Sequence, residues 1–206
     1  MTEEDARAWL TARFGGDALG RLAHYVALLI VAADQQNLIS ASTLPTIWAR
    51  HVVDSAQLVT MGPPPSGNWI DVGSGAGLPG LVVALTSTWP VVLIEPRRLR
   101  VAFLNECVAA LGLERQVTVI ASKVEAASIA QPAAVISARA VAPLSRLIGS
   151  ATHLADIHSI WLLLKGTRAE SEVAEAKRSW QGMFHVEHSV VDSASGIVVA
   201  SQVRRR

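Results

Sequence analysis

The sequence predicts an α/β fold: a mostly parallel sheet of seven strands, one of them antiparallel, with helices on both faces and a helical segment ahead of it. Three observations predict it. The first 60 or so residues carry apolar positions at helix spacing and no strand signal. After Gly62-Pro63-Pro64-Pro65-Ser66-Gly67, which cannot continue a helix, short apolar runs alternate with helix-periodic ones. The first of those runs, Trp69-Ile70-Asp71-Val72, leads straight into Gly73, Gly75, Gly77 and Gly80. That is how the first strand of an open α/β sheet meets a ligand.

The elements follow in order. Trp9, Leu10 and Phe14 fall on one helix face, and Leu22, Val26, Leu29, Ile30 and Ala33 on another. Ser42-Thr43 is placed to cap a third helix carrying Ile47, Trp48, Val52 and Leu58. Beyond the proline linker, strands are expected at Trp69–Val72, Val91–Ile94, Val117–Ile120, Val135–Ser137, Ile160–Leu164, Phe184–Val191 and Ile197–Val203. Helices are expected at Leu81–Leu85, Arg97–Leu111, Leu144–Ala155 and Arg168–Trp180. In the second of these Val101, Leu104, Val108 and Leu111 form one face and Gly112 the stop. The last two strands flank the turn-rich Asp192-Ser193-Ala194-Ser195-Gly196, which makes one strand of the sheet antiparallel.

A chain of 206 residues suits one domain with a small appended piece. The expected division is a helical extension over residues 1–62 and one compact unit over 67–206. Half the residues are hydrophobic, and the net charge of +1 argues against a surface that grips nucleic acid everywhere, though not against a local basic patch. The single cysteine, Cys107, excludes an internal disulfide and a cysteine-based zinc cluster. The start is acidic and lacks an apolar signal core, and Leu22–Ala33 is too short for a membrane span. A soluble cytoplasmic protein with no membrane partner is expected.

The glycine loop suits two nucleotide classes. Gly75-Ala76-Gly77-Leu78-Pro79-Gly80 fits the dinucleotide pattern G-x-G-x-x-G. Three features favour S-adenosylmethionine instead. Asp71-x-Gly73-x-Gly75-x-Gly77 is an acidic-first pattern; a carboxylate there suits the cationic methionine end of that cofactor and would repel a pyrophosphate. Pro79 removes one N–H at the helix start that a phosphate would use. Too little chain remains for the substrate domain of a dehydrogenase. Glu95, ending the second strand, is placed to accept hydrogen bonds from a ribose diol.

Asp71-Val72-Gly73-Ser74-Gly75-Ala76-Gly77-Leu78-Pro79-Gly80 also resembles the signature loop of the RsmG (GidB) family of bacterial small-subunit ribosomal RNA methyltransferases. Asn37-Leu38-Ile39-Ser40, Arg50-His51-Val52-Val53-Asp54-Ser55, Arg100-Val101-Ala102-Phe103-Leu104, Ser137-Ala138-Arg139-Ala140 and Leu164-Lys165-Gly166 resemble other family segments in order and spacing. Ile39 stands where the family carries threonine, and Ala138 separates Ser137 from Arg139 where the family often runs serine directly into arginine. The resemblance implies a Rossmann-like methyltransferase fold and methyl transfer from S-adenosyl-L-methionine to N7 of one guanine in small-subunit (16S) ribosomal RNA. It implies cofactor contacts from Gly73, Leu78, Val124, Glu125 and Arg139, to which the loop pattern and the strand end add Asp71, Gly75, Gly77 and Glu95.

N7 of guanine has a lone pair and no proton, so no general base is expected. The fourth strand ends in Ser137-Ala138-Arg139 and not in the Asn/Asp-Pro-Pro-aromatic motif of enzymes that methylate exocyclic amines. Arg139 and Lys165 are the expected orienting and electrostatic groups. Ribosomal RNA or the small subunit is the expected partner, and the protein is expected to be a monomer. Arg97, Arg98 and Arg100, and separately Arg204, Arg205 and Arg206, are candidate contacts to RNA backbone. His51 and Asp54, one helical turn apart, lack further ligands for a metal and are read with Arg50 as a polar tie between the N-terminal helices and the sheet. The competing functions are a nicotinamide-dependent oxidoreductase and a non-catalytic RNA- or cofactor-binding module.

Overall fold

A computed structural model describes all 206 residues. The N-terminal segment comprises α1 (Glu3–Ala33), a 3₁₀ turn (Ala41–Thr46), a π-helical turn (Trp48–Val53) and α2 (Asp54–Met61). The sheet follows as β1 (Asn68–Val72), β2 (Val91–Ile94), β3 (Val117–Ile120), β4 (Ala133–Arg139), β5 (Ile160–Gly166), β6 (Trp180–His188) and β7 (Gly196–Arg205). Its helices are α3 (Gly80–Thr86), α4 (Arg98–Ala110), α5 (Leu144–Ala151) and α6 (Ala169–Ala176). The strand order is β3-β2-β1-β4-β5-β7-β6. Only β7 runs against its neighbours, wedged between β5 and β6. All seven strands were legible in the sequence, as was the single reversal.

Residues alternate across the central strands, so Trp69 joins a core shared with α1 to α4, and Ile70 a second core under α5 and α6. The first core is continuous with residues of the N-terminal segment, including Leu22, Tyr25, Leu29, Trp48 and Val52. Five of the six tryptophans, all but Trp9, are buried.

Several expectations need correction. The first two predicted helices are one element, α1, bent where Gly15 takes φ +83°. Ser42-Thr43 does not cap a long helix; it lies inside the 3₁₀ turn, and the third helix is assembled from a 3₁₀, a π and an α piece. The π turn begins on the carboxylate of Glu3, which accepts the N–H groups of Trp48 (3.0 Å) and Ala49 (2.9 Å). The buried face of α4 is Phe103, Leu104, Cys107 and Val108. The polar helix stops at Ala176, because Trp180 already belongs to β6. Finally, α1 is long and apolar enough to cross a bilayer by length and composition alone, although the sequence runs within it read as too short. In this structure its Leu22, Tyr25, Val26 and Leu29 are buried in the protein core.

Two contacts seat α1 on the sheet layer. Arg21 Nη2 donates to the carbonyl of Leu85 at 2.9 Å, and the fully buried Tyr25 hydroxyl donates to the carbonyl of Ala76 at 2.8 Å. The second bond fixes the N-terminal segment to the glycine loop. Tyr25→Phe leaves that carbonyl buried without its donor and is expected to cost about 1 to 3 kcal/mol in denaturant unfolding. A midpoint equal to wild type would show that the bond does not hold the two parts together.

Candidate cofactor site

The glycine loop begins where β1 ends. Gly73 and Ser74 donate their N–H groups to the carbonyl of Ile94, so the loop is tied to the end of β2. Gly73 takes φ +69°, and a Cβ there would lie 2.8 Å from Val141. That position needs glycine both for its backbone and for the close approach of the β4–α5 loop.

Beneath the loop lies Asp71, fully buried. Its Oδ2 accepts the N–H of Gly80 (3.2 Å) at the start of α3, and its Oδ1 accepts the hydroxyl of Ser137 (2.9 Å) on β4. The Ser137 oxygen in turn accepts the indole N–H of Trp69 (2.9 Å). Burial pushes the Asp71 carboxyl up to about 6, against the hydrogen bonds that lower it. This corrects an expectation: Asp71 does not line the cleft, and both its oxygens are engaged inside the fold.

Above the loop is a cleft of about 690 Å³, walled by Gly73, Gly75, Ala76 and Leu78, by Glu95 and Arg97, by Val124 and Glu125, by Arg139, and by Leu38, Ile39, Thr43 and His51 of the N-terminal segment. The cleft thus gathers Gly73, Gly75, Leu78, Glu95, Val124, Glu125 and Arg139 as the sequence anticipated. Gly77 is not among its walls. Its φ of +90° turns the chain into α3, and a Cβ would meet Leu81 at 2.4 Å.

Glu95 is almost wholly buried at the end of β2. It accepts the N–H of Gly75 through Oε2 (2.9 Å) and that of Arg97 through Oε1 (2.8 Å). A carboxylate has about four lone-pair sites, so it retains capacity for a ribose diol. Arg139, at the end of β4, donates through Nη2 to Nδ1 of His51 at 2.6 Å. A guanidinium only donates, so Nδ1 is the acceptor and Nε2 carries the proton. Nε2 then donates to Thr43 Oγ1 (2.7 Å), which donates to the carbonyl of Ser40 (2.7 Å). Burial, then the charges of Arg139 and Arg50, push the imidazole down to about 3, so His51 is neutral and fixed in one tautomer. Arg139 Nη1 is buried and has no partner.

Lys165 departs from expectation. Its ammonium sits 3.0 Å from Glu172 and bonds the carbonyl of Ala142. Glu172 also accepts the N–H of Leu144 (2.7 Å), so the pair buttresses the start of α5. Lys165 lines a neighbouring cavity and not the cofactor cleft. Of the two arginine clusters, Arg97 and Arg100 stand on the cleft. Arg204 to Arg206 close the reversed strand β7 and so lie at the opposite end of the sheet, where Arg204 holds Gln181 and Arg206 the carbonyl of Lys177. The polar tie is real: His51 reaches Arg139, and Asp54 reaches Ser189 in the β6–β7 loop (2.9 Å). Cys107 is buried, and its thiol is pushed up to about 12.

The parts fit S-adenosylmethionine. The cleft has the volume of a small-molecule site. Leu38, Leu78 and Val124 offer apolar walls for an adenine, Glu95 offers acceptors for a ribose, and the orphaned N–H of Arg139 suits a carboxylate. Fold and cleft together define a Rossmann-like, S-adenosylmethionine-dependent methyltransferase. Comparison with known proteins narrows the class. The family described as rRNA small subunit methyltransferase G (GidB) matches residues 19–198. Ribosomal RNA small subunit methyltransferase G of Rhizorhabdus wittichii is 45% identical over 208 residues, covering 100% of this chain and 95% of that protein. Its counterpart in Sphingopyxis alaskensis is 46% identical over 202 residues, covering 97% and 86%. The chain belongs to the rRNA small subunit methyltransferase G family. Solved structures agree on the fold: cofactor-bound Rv0187 from MTB superposes with a TM-score of 0.63 at 14% identity, covering 95% of this chain and 94% of that one. A mutant of MtNAS in complex with S-adenosylmethionine gives 0.60 at 13% identity, covering 90% and 76%.

Asp71 generates a pH prediction. An unperturbed carboxyl has its pKa at 3.8 and the buried one at about 6. The folded protein therefore holds a proton that the unfolded chain has released between those values. Asp71 contributes stability at low pH that is lost as pH rises through 6, a difference on the order of 3 kcal/mol. Asp71→Asn is expected to remove this component from the wild-type stability profile between pH 4 and 6, measured by denaturant unfolding. Parallel profiles for the two proteins would contradict it.

Proposed function

We propose that this chain transfers a methyl group from S-adenosylmethionine to N7 of a specific guanine in small-subunit ribosomal RNA, by direct in-line displacement without a general base. The observation that carries this reading is the end of β4, where the cleft meets a guanidinium backed by a neutral imidazole. The imidazole of His51 is locked as an acceptor towards Arg139 and resists protonation down to about pH 3. The carboxylate of Glu95 is engaged by two backbone N–H groups. The end of β4 offers a guanidinium and no carboxylate or carboxamide. An exocyclic amine would have to lose a proton; N7 does not.

S-adenosylmethionine, when bound, supplies an electrophilic methyl group on a sulfonium. The protein's share is alignment and electrostatics. The glycine loop and Glu95 fix the cofactor end of the cleft. Arg139, held from behind by His51, presents its charge between the cleft and the adjoining cavity. Val124 and Glu125 close the adenine side, and Gly73 and Leu78 the loop side. Lys165 acts indirectly, by fixing the loop that follows Arg139. Ribosomal RNA, free or in the small subunit, is the partner on this reading, and the cytoplasm the place of action.

The relatives' shared name favours this over a dinucleotide-dependent oxidoreductase. Small-subunit RNA incubated with the protein and S-adenosylmethionine is expected to gain one 7-methylguanosine, located by cleavage at the modified base. Thermal unfolding is expected to shift with S-adenosylmethionine or its demethylated product and not with NAD or NADP. At a ligand concentration of 100 Kd the stabilisation is about 2.7 kcal/mol. Arg139→Ala is expected to lower methyl transfer at least tenfold. A shift with NAD, or methylation elsewhere than guanine N7, would overturn the reading.

A further inference from the structure

Next to the cofactor cleft lies a second cavity of about 410 Å³. Arg139 is a wall common to both. The rest is built from the ends of β4 and β5, the start of α2 and the β6–β7 loop, with the exposed Arg50 and Arg168 on its lining. Asp54, the first residue of α2, faces this cavity in an unusual state. Its Oδ1 accepts two hydrogen bonds, from Gln57 Nε2 (2.8 Å) and from Ser189 Oγ (2.9 Å). Gln57 is itself fixed at both ends, because its Oε1 accepts the N–H of Val190 (3.0 Å). The other oxygen of Asp54, Oδ2, makes no hydrogen bond, and Asp54 belongs to none of the chain's ion pairs.

Oδ2 is open to the cavity and free to accept from whatever enters it. Arg139, a wall of both spaces, holds Nη1 buried and without a partner, and its two N–H groups can serve the cofactor's carboxylate on one side and a ligand here on the other. The two opposite charges flank one space and do not meet. A ligand that fills it must offer donors to Asp54 and acceptors towards Arg139. Guanine has that order of groups on adjacent edges: N1–H and the N2 amino group are donors, and O6 and N7 are acceptors. Adenine and cytosine present a ring acceptor where guanine has N1–H, which the carboxylate would repel.

Building on the guanine reading above, we infer that this cavity receives the target base flipped out of the RNA, and that Asp54 selects guanine by accepting hydrogen bonds from its Watson–Crick edge. O6 then lies towards Arg139, and N7 points past it into the cofactor cleft. Arg50 and Arg168 take the flanking phosphates. The Gln57–Ser189 network is what orients the carboxylate, so recognition uses a preorganised group.

Asp54→Asn tests this. Gln57 and Ser189 both donate to the Oδ1 position, so the amide oxygen settles there and its NH2 group replaces the free Oδ2: an acceptor becomes a donor. Methyl transfer is measured on small-subunit RNA, free and as assembled subunits, with guanosine or with inosine at the methylated position. Inosine lacks only the N2 amino group. The wild type is expected to prefer guanosine about tenfold or more in kcat/KM. In Asp54→Asn, and in Asp54→Ala, transfer to guanosine is expected to fall about 100-fold and the preference to collapse towards unity. S-adenosylmethionine affinity is expected to stay within twofold. A variant with wild-type rates, or a slow variant that keeps the full preference for guanosine, would overturn the role of Asp54. A wild type that makes 7-methylguanosine but uses inosine equally well would do the same and leave the proposed function standing. A wild type whose product is not 7-methylguanosine would overturn both.

Discussion

The site rests on a carboxylate that never touches a ligand. Asp71 sits at the crossing of β1, β4 and α3, where it holds the first N–H of α3, the hydroxyl of Ser137 and, through it, the indole of Trp69. Full burial makes its charge expensive, and the bonds it accepts are what keep it in place. Because the carboxylate secures the start of α3 from below, the loop between β1 and α3 can turn with its backbone against the cleft. Gly73 and Gly75 then take left-handed conformations, and Glu95 meets the N–H of Gly75.

A second constraint closes the cleft from the other side. The N-terminal segment touches the glycine loop through Tyr25 and touches the end of β4 through His51. The run from Arg139 through His51 and Thr43 to the carbonyl of Ser40 has one consistent direction of donation, which makes the imidazole a fixed strut. The π turn that carries His51 exists because Glu3 satisfies its leading N–H groups. Cations near the site thus divide by what holds them. Lys165 is neutralised by Glu172 and stiffens the start of α5, whereas Arg139 keeps an N–H in reserve.

Much of this was legible in the sequence, for identifiable reasons. Buried parallel strands are short apolar runs, and each appears as one. The reversal at β7 follows from a short loop that cannot cross over a sheet. Glu95 follows the end of β2, where an open α/β sheet collects its ligand residues, while Val124, Glu125 and Arg139 were marked by the family resemblance. Other features depend on distance in space. Asp71 and Lys165 stand at the right places in the chain, but their side chains face partners 66 and 7 residues away along it, Ser137 and Glu172. The walls Leu38 and Ile39 come from a segment with no regular periodicity, so only the resemblance of Asn37-Leu38-Ile39-Ser40 marked them, and Thr43 was expected only as part of a helix cap. The bonds of Asp54 to Gln57 and Ser189 join α2 to a loop 135 residues on, which no local pattern records.

Two carboxylates close to one glycine loop therefore carry opposite duties: Asp71 builds the floor, and Glu95 meets the cofactor. Calorimetric titration of S-adenosylmethionine into Asp71→Asn and Glu95→Gln separates them most directly. The account predicts that Glu95→Gln weakens binding about tenfold or more, through the loss of a charged acceptor. It predicts that folded Asp71→Asn binds with nearly wild-type affinity at pH 7. Undiminished binding by Glu95→Gln, or a larger loss in Asp71→Asn than in Glu95→Gln, would contradict it.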